Sequence, residues 1–289
     1  MRSSDVSSPI TISGGMTSRD LAATAAFRTS GLGRVRVIAL NTFRESVRDR
    51  VLYNLILFVL VLVGASAFVS DLSVNIESEF TAALGLSAML VFGAFIAIFI
   101  GVGLVYKEID KRTIYNLLSK PVHRYEFIVG KYLGLCVTLL VNSSVMLLAT
   151  ELAISYVNGR FVPLQKAVLA AAYLVYLELA LLIALALMFS SFSTPLLSAL
   201  FSFAVYVIGN FSRDLLQMAA LSDSVVAQAV LKVIYYLVPH LSNFSFITEA
   251  SHGRMVPARM AIAATLYAIV YIGILLSAAV LIFQKKNFK

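Results

Sequence analysis

Long apolar stretches with very few charged residues dominate the sequence. In a helix that rises about 1.5 Å per residue, roughly 20 apolar residues cross the ~30 Å hydrocarbon core of a bilayer. Soluble domains contain about 45–50% apolar and about 25% charged residues, whereas this chain of 289 residues is 60% hydrophobic and 13% charged. The sequence therefore predicts an all-α polytopic membrane protein with six transmembrane helices. The predicted spans lie near residues 51–69, 83–106, 132–157, 167–190, 196–211 and 261–283.

The start of the chain differs from this apolar remainder. Residues 1–33 are rich in Ser, Thr and Ala and contain no apolar run, which predicts a flexible cytosolic tail ahead of a membrane domain at 34–289. Between Arg34 and Arg50, apolar residues such as Ile38 recur at helical spacing, while Arg36 and Arg44 occupy other faces. This pattern predicts an N-terminal amphipathic helix at the inner, interfacial surface of the membrane.

The distribution of basic residues predicts the orientation. Most of the 23 Lys and Arg residues fall before the first span, in the loop at 107–131, or after the last span. Because basic loops stay in the cytosol, both termini are predicted to be cytoplasmic in a multi-pass protein of the cell (plasma) membrane. A further apolar stretch at 225–238 contains Lys232 and stops at Pro239. It is too short for a seventh span, and we expect an interfacial or re-entrant helix there.

The loop between the second and third spans has a more regular arrangement of charged and apolar residues than a simple connection between spans needs. It begins with mixed charges, continues with Ile114, Leu117 and Leu118 on one helical face, and reaches Pro121, which ends the helix. A second short helix is predicted from Tyr125 toward Lys131. The loop residues that form a recognisable pattern are Glu108, Arg112, Thr113, Leu117, Ser119, Pro121, Arg124 and Lys131.

This pattern resembles the signature of ABC transporter permeases of the type 2 exporter class. The amphipathic N-terminal helix, the six spans and the outer segment before the last span agree with that class. The resemblance covers roughly residues 34–286. Within the class, the chain looks most like the small permeases associated with multicopper-enzyme maturation.

The resemblance implies a non-catalytic permease subunit that couples ATP hydrolysis by a separate ATPase subunit to export. Residues Glu108 to Ser119 would form a cytosolic coupling helix that docks on the ATPase, while Arg124 and Lys131 would meet acidic residues of the ATPase or phosphates of anionic membrane lipid. ATP and Mg would be bound by the partner and no cofactor by this chain, and a homodimer or a paired permease is expected. A lipid-facing loop whose basic residues only fix the topology is the alternative interpretation.

Three polar residues inside predicted spans are candidates for a translocation path: Glu178, Glu151 and Asn142. A charged group at the bilayer centre costs about 2.5–3.5 kcal/mol on insertion scales, so each glutamate should face protein or water. Glu178 could line the path, act in proton coupling, or form a protonated, hydrogen-bonded helix contact. Hydrogen-bond partners are offered by Asn142, Ser143 and Ser144 in the third span and by Tyr173 and Tyr176 beside Glu178. If the glutamates bind ions, the chain is instead an ion-coupled secondary transporter.

Other function classes lack the residues that they need. The three histidines are scattered, so neither a metal site nor a catalytic constellation is predicted. The net charge of +8 follows the cytosolic side of the spans, which argues against nucleic-acid binding. Glycines of the second span, among them Gly93, Gly101 and Gly103, permit close helix approach, which the resemblance would place at the dimer interface, although small residues are common in any membrane bundle.

Overall fold

The computed structural model describes residues 31–49, 57–62, 64, 77–110, 123–158, 164–222 and 224–285, and these residues contain helices and no strand. Residues 57–62 and 64 are helical. The other described helices are α1 (Gly31–Asp49), α2 (Glu77–Asp110), α3 (Arg124–Asn158), α4 (Leu164–Ser190), α5 (Pro195–Asn210), α6 (Ser212–Leu221), α7 (Val225–Leu237), α8 (Ile247–Ser251) and α9 (Ala258–Lys285), with a 3₁₀ turn at Leu241–Phe244.

Four of the described helices are long and apolar enough to cross a membrane. They contain Glu77–Gly103, Tyr125–Tyr156, Leu164–Ser190 and Ala258–Gln284, and they match four predicted spans. The apolar helix α5 is shorter, and the first predicted span at 51–69 lies mostly outside the described residues. The all-α polytopic class is therefore confirmed, while the count of six spans stays a prediction.

The stretch after α5 forms a bent arrangement. Helix α7 and the segment Leu241–Ser251 are long and apolar enough to cross a membrane only when they are taken together. The two parts meet at a bend of 54°. This geometry fits a broken span or a re-entrant loop, and re-entrant is one of the two forms predicted for this stretch. None of the residues of α7 is buried, so the helix contributes little to the core.

The start of α3 corrects one prediction. No separate short helix occupies Tyr125 to Lys131, because α3 begins at Arg124 and continues to Asn158. The segment contains no proline or other helix breaker, so nothing ends the helix before the apolar stretch begins. With 35 residues, α3 is about 52 Å long and extends beyond a hydrocarbon core of ~30 Å.

Helix α4 lies at the centre of the bundle and packs against α2, α3, α5 and α9. A side chain at Gly93 of α2 would collide with Leu179 of α4, and a Cβ at Gly101 would lie 3.3 Å from Ala186. Small residues let the two backbones approach closely. Gly93 and Gly101 therefore serve packing within the chain, which contradicts the expectation that they lie at a dimer interface.

Candidate functional site

Helix α1 packs alongside the first turns of α3, in the same direction. Arg34 contacts Glu126, Ile38 contacts Gly130, and Thr42 lies against Gly134, so both helices advance by four residues from one contact to the next. A Cβ at Gly130 would lie only 2.7 Å from Ile38 Cγ2. This close approach depends on small residues spaced one helical turn apart on α3.

Glu126 is the polar centre of this contact, and its side chain is 0% exposed. Arg34 donates two hydrogen bonds to it, from Nη2 to Oε1 at 2.7 Å and from Nε to Oε2 at 2.9 Å. The backbone N–H of His123 donates to Oε2 at 3.0 Å, in the manner of an N3 glutamate that caps the start of a helix. The hydrogen bonds that Arg34 donates to Glu126 raise the pKa of Arg34 above its ordinary value. A buried carboxylate is thus satisfied by a paired guanidinium and a helix start.

The opposite face of the same turns packs against the end of α9. Phe127 stacks on Phe283 with ring centroids 5.9 Å apart, and Ile128 and Ala279 complete a buried cluster. The Nζ of Lys131 lies 5.7 Å from the centroid of the Phe127 ring. The first turns of α3 therefore hold the N-terminal helix on one side and the C-terminal helix on the other, at one end of the structure.

A second polar contact lies inside the bundle, between α4 and α5. The side chain of Glu178 is 0% exposed, and Asn210 Nδ2 donates to its Oε1 at 3.0 Å. Asn210 also donates to the backbone carbonyl of Tyr206, one turn earlier, at 3.1 Å. The described residues offer no hydrogen-bond partner to Glu178 Oε2. In this arrangement Glu178 is a contact between two helices.

The tyrosines near Glu178 do not bind it, contrary to the prediction. Tyr176 donates to the backbone carbonyl of Cys136 on α3 at 3.3 Å. Tyr173 shares a hydrogen bond of 3.1 Å with Thr265 on α9. Neighbours along a helix point to different faces, so both hydroxyl groups reach helices other than the one that carries Asn210.

No hydrogen bond joins the three predicted path residues, Glu178, Glu151 and Asn142, to one another in the structure. Asn142 is 1% exposed, and its side chain has no hydrogen-bond partner among the described residues. Near Glu151, Gln165 Nε2 donates to the backbone carbonyl of that residue at 3.2 Å. A groove of about 140 Å³ lies between α2, α3 and α4, and its walls include Ser143 and Tyr176. Glu178, Glu151 and Asn142 are not among the residues that line the groove.

Comparison with protein families decides the class of this membrane protein. The model of the family described as "ABC-2 family transporter protein" matches residues 36–288, which is most of the chain. The chain belongs to the ABC-2 transporter family. A search of curated proteins gives no match. The protein is thus a multi-pass membrane permease of the ABC transporter type, as the loop pattern and the apolar helices predicted.

Most of the predicted coupling loop of this ABC-2 permease lies outside the described residues. The docking role assigned to this loop therefore stays a prediction. Glu108 falls within α2 and Arg124 begins α3, but the structure describes neither side chain; the residues outside the description are Arg112, Thr113, Leu117, Ser119 and Pro121. Lys131 is described, and its side chain is 1% exposed. Lys131 is therefore enclosed by protein in this structure, and its Nζ lies 5.7 Å from the centroid of the Phe127 ring.

Sequence reasoning missed two polar residues of the permease, Glu126 and Asn210. Glu126 lies three residues after His123 at a helix start, and that spacing alone could have indicated a capping residue. Its partner Arg34 is 92 residues away in the chain, so no local pattern identifies it. The bond from Asn210 to Glu178 depends on the packing of α4 against α5, which neither helix indicates by itself.

The described residues contain no group of three or more His, Cys, Asp or Glu side chains that could hold a metal ion. The chemistry of the site consists of an ion pair, helix capping and aromatic packing. Such contacts hold helices in fixed relative positions. They therefore fit a mechanical role in a transporter.

Proposed function

We propose that this ABC-2 permease is the membrane subunit of an exporter and that a separate ATPase subunit, which binds ATP and Mg, drives it. The observation that carries the proposal is the family match over residues 36–288. The geometry around the loop between α2 and α3 supports it. The helix that leaves this loop is held on two sides by α1 and α9, so a force applied to the loop reaches three helices together.

The proposed orientation places this end of the structure in the cytosol. The start of α3 contacts α1 through Glu126 and contacts the end of α9 through Phe127. These are three segments in which Lys and Arg are concentrated, as cytosolic segments are. Arg44 is exposed on α1 and suits contact with anionic lipid. Both termini are then cytoplasmic.

The proposed coupling segment runs from Glu108 to Ser119, and its first residues, up to Asp110, belong to the end of α2. A short amphipathic helix with charges at one end can dock on an ATPase and transmit rigid-body motion. Lys131 has a different role in this proposal than direct docking, because its side chain is buried beside Phe127. It supports the helix that receives the motion.

Two copies of the permease, or this chain and a paired permease, would form the path together. A bundle of this size leaves little internal room for a path, and a twofold interface would cover the remaining apolar surface. Helices α5 and α9 expose large side chains such as Leu196 and Ile269 to lipid or to such a partner. The resemblance of the loop further suggests a relation to permeases associated with multicopper-enzyme maturation.

Ion-coupled transport is less well supported. It needs Glu178 to reach an aqueous path, whereas the side chain is fully buried and accepts a hydrogen bond from Asn210. A buried carboxyl group that bridges two helices serves packing specificity. Glu178 remains a candidate path residue in the proposal, together with Glu151 and Asn142.

The test is to purify the tagged chain in mild detergent from its native host and to identify the proteins that accompany it by mass spectrometry. An unrelated multi-pass protein with the same tag is the control. We expect a stoichiometric chain that carries a Gly-x-x-x-x-Gly-Lys-Ser/Thr loop, which is the phosphate-binding motif of ATPases, and ATP hydrolysis by the complex. Recovery of the chain alone, active in ion transport, would refute the proposal.

A further inference from the structure

Arg34 and Glu126 connect two segments that are far apart in the sequence. Arg34 lies in the first turn of α1, and Glu126 lies in the first turn of α3, just after the coupling loop. The carboxylate is 0% exposed, so it exchanges no hydrogen bonds with bulk water. Removing one partner of a buried ion pair leaves the other charge uncompensated, which is strongly unfavourable. The ion pair therefore holds the N-terminal ends of α1 and α3 against each other.

Close packing in the two helical turns that follow the ion pair prevents α1 from shifting along α3. A Cβ at Gly134 would lie 2.6 Å from the backbone oxygen of Ala39 and 2.6 Å from Thr42 Cβ. A Cβ at Gly31 would lie 2.9 Å from Glu126 Oε1. Glycine is thus needed at Gly134, where the added Cβ meets a backbone atom, whereas the carboxylate oxygen near Gly31 is the end of a side chain. A shift of α1 along α3 would break the fit of Gly130 and Gly134 to their partners.

A hydrogen bond also links the pair to the coupling loop. Glu126 Oε2 accepts from the N–H of His123, the first described residue after the loop. The same oxygen accepts from Arg34 Nε. The backbone at the end of the loop is therefore connected through one carboxylate to α1.

We propose that Arg34 and Glu126 are a positioning pair that makes α1 and the first turns of α3 move as one body when motion from the ATPase reaches α3. The inference rests on the proposed function, because it assigns the pair a role in transmitting motion from the ATPase. Neither residue binds nucleotide or substrate. Each acts by fixing the orientation of the helix that the loop leads into.

The experiment compares Arg34→Met and Glu126→Gln with the wild type, each in complex with the partner ATPase and reconstituted in vesicles that contain anionic lipid. Glu126→Gln keeps an acceptor for His123 and removes the charge. Arg36→Met is the matched control, because Arg36 lies on the same helix, is exposed, and loses the same charge. The readouts are ATP hydrolysis per assembled complex as a function of ATP concentration, and the amount of ATPase bound.

We expect kcat to fall by about fivefold or more in both pair variants, the lower end of typical coupling effects, while KM for ATP and the amount of bound ATPase stay as in the wild type. The double variant should lose no more than either single variant, because both remove the same interaction. Arg36→Met should behave as the wild type.

A wild-type kcat in both pair variants overturns the inference. An equal loss in Arg36→Met does so too, as does a loss of assembly with unchanged hydrolysis per complex, since the pair would then serve stability alone. If Arg34→Met does not fold, Arg34→Lys replaces it, because lysine keeps the charge but not the two-point contact, and a wild-type kcat there and in Glu126→Gln overturns the inference. If the wild type binds no ATPase, the proposed function itself fails and the inference fails with it.

Discussion

Replacing Gly134 with alanine tests whether α1 is seated on α3 as the structure places it. The new Cβ would lie 2.6 Å from the backbone oxygen of Ala39 and 2.6 Å from Thr42 Cβ. Carbon atoms in contact normally lie about 3.5–4.0 Å apart, so α1 must move outward by about 1 Å. A backbone oxygen within a helix cannot rotate away as the end of a side chain can.

The free-energy change combines two opposing effects. Overpacking a tight contact costs typically 1–3 kcal/mol. Alanine in a helix interior is favoured over glycine by about 1 kcal/mol. Because one of the colliding atoms belongs to the backbone, we expect the upper part of the overpacking range and a net destabilisation of about 1–2 kcal/mol. Gly103→Ala and Gly273→Ala are matched controls, since a Cβ at either position has nothing within 4 Å.

The assay is thermal unfolding of the purified permease in detergent. A change of 1 kcal/mol shifts the midpoint of a chain of 150–250 residues by about 2–4 °C. Gly134→Ala should therefore unfold about 2–8 °C below the wild type. The two control variants should unfold at or slightly above the wild-type temperature. If Gly134→Ala is as stable as the controls, α1 does not pack on α3 in the way described.

Three further outcomes are expected. Glu178→Gln should keep the wild-type unfolding temperature and transport, because glutamine still accepts from Asn210, whereas Glu178→Leu should cost about 1–3 kcal/mol by removing the acceptor of one of the two N–H groups of that amide; a stable Glu178→Gln variant without transport would favour ion coupling. Charge reversal at Glu108 should uncouple ATP hydrolysis from transport without changing membrane insertion, and unchanged coupling would contradict the docking role. In a chain whose native cysteine is replaced by serine, a cysteine at Glu79 should react with an impermeant reagent from outside whole cells, and one at Ser119 should not; the reverse pattern would overturn the orientation.

The long spans could be predicted because the relevant rule is local. A run of about 20 apolar residues is long enough to cross the bilayer whatever the rest of the chain does. Helices α2, α3, α4 and α9 cover four predicted spans for this reason. The predicted ends of these four spans were less accurate. The short helix predicted from Tyr125 to Lys131 is part of the first turns of α3, because no helix breaker separates this stretch from the span that follows.

The polar residues of the candidate site were harder to predict. Lys131 was interpreted as a surface cation, but its side chain is 1% exposed beside the end of α9. Glu178 was expected to find a partner among nearby tyrosines, and it accepts from Asn210 instead. Both errors concern the direction of a side chain relative to a second helix. A single apolar helix gives few signals of that direction, because lipid and neighbouring helices present similar apolar surroundings.

The sequence by itself determined the class of the protein: an α-helical membrane chain with a patterned loop between two spans and basic residues concentrated toward one side. Those properties follow from composition, span length and charge distribution, all of which act over short stretches. Only the tertiary structure decided that Arg34 pairs with Glu126 and that the glycines of α2 pack against α4. These contacts join residues that are distant in the chain, and they are selected by the shapes of two packed helices, which no single helix encodes.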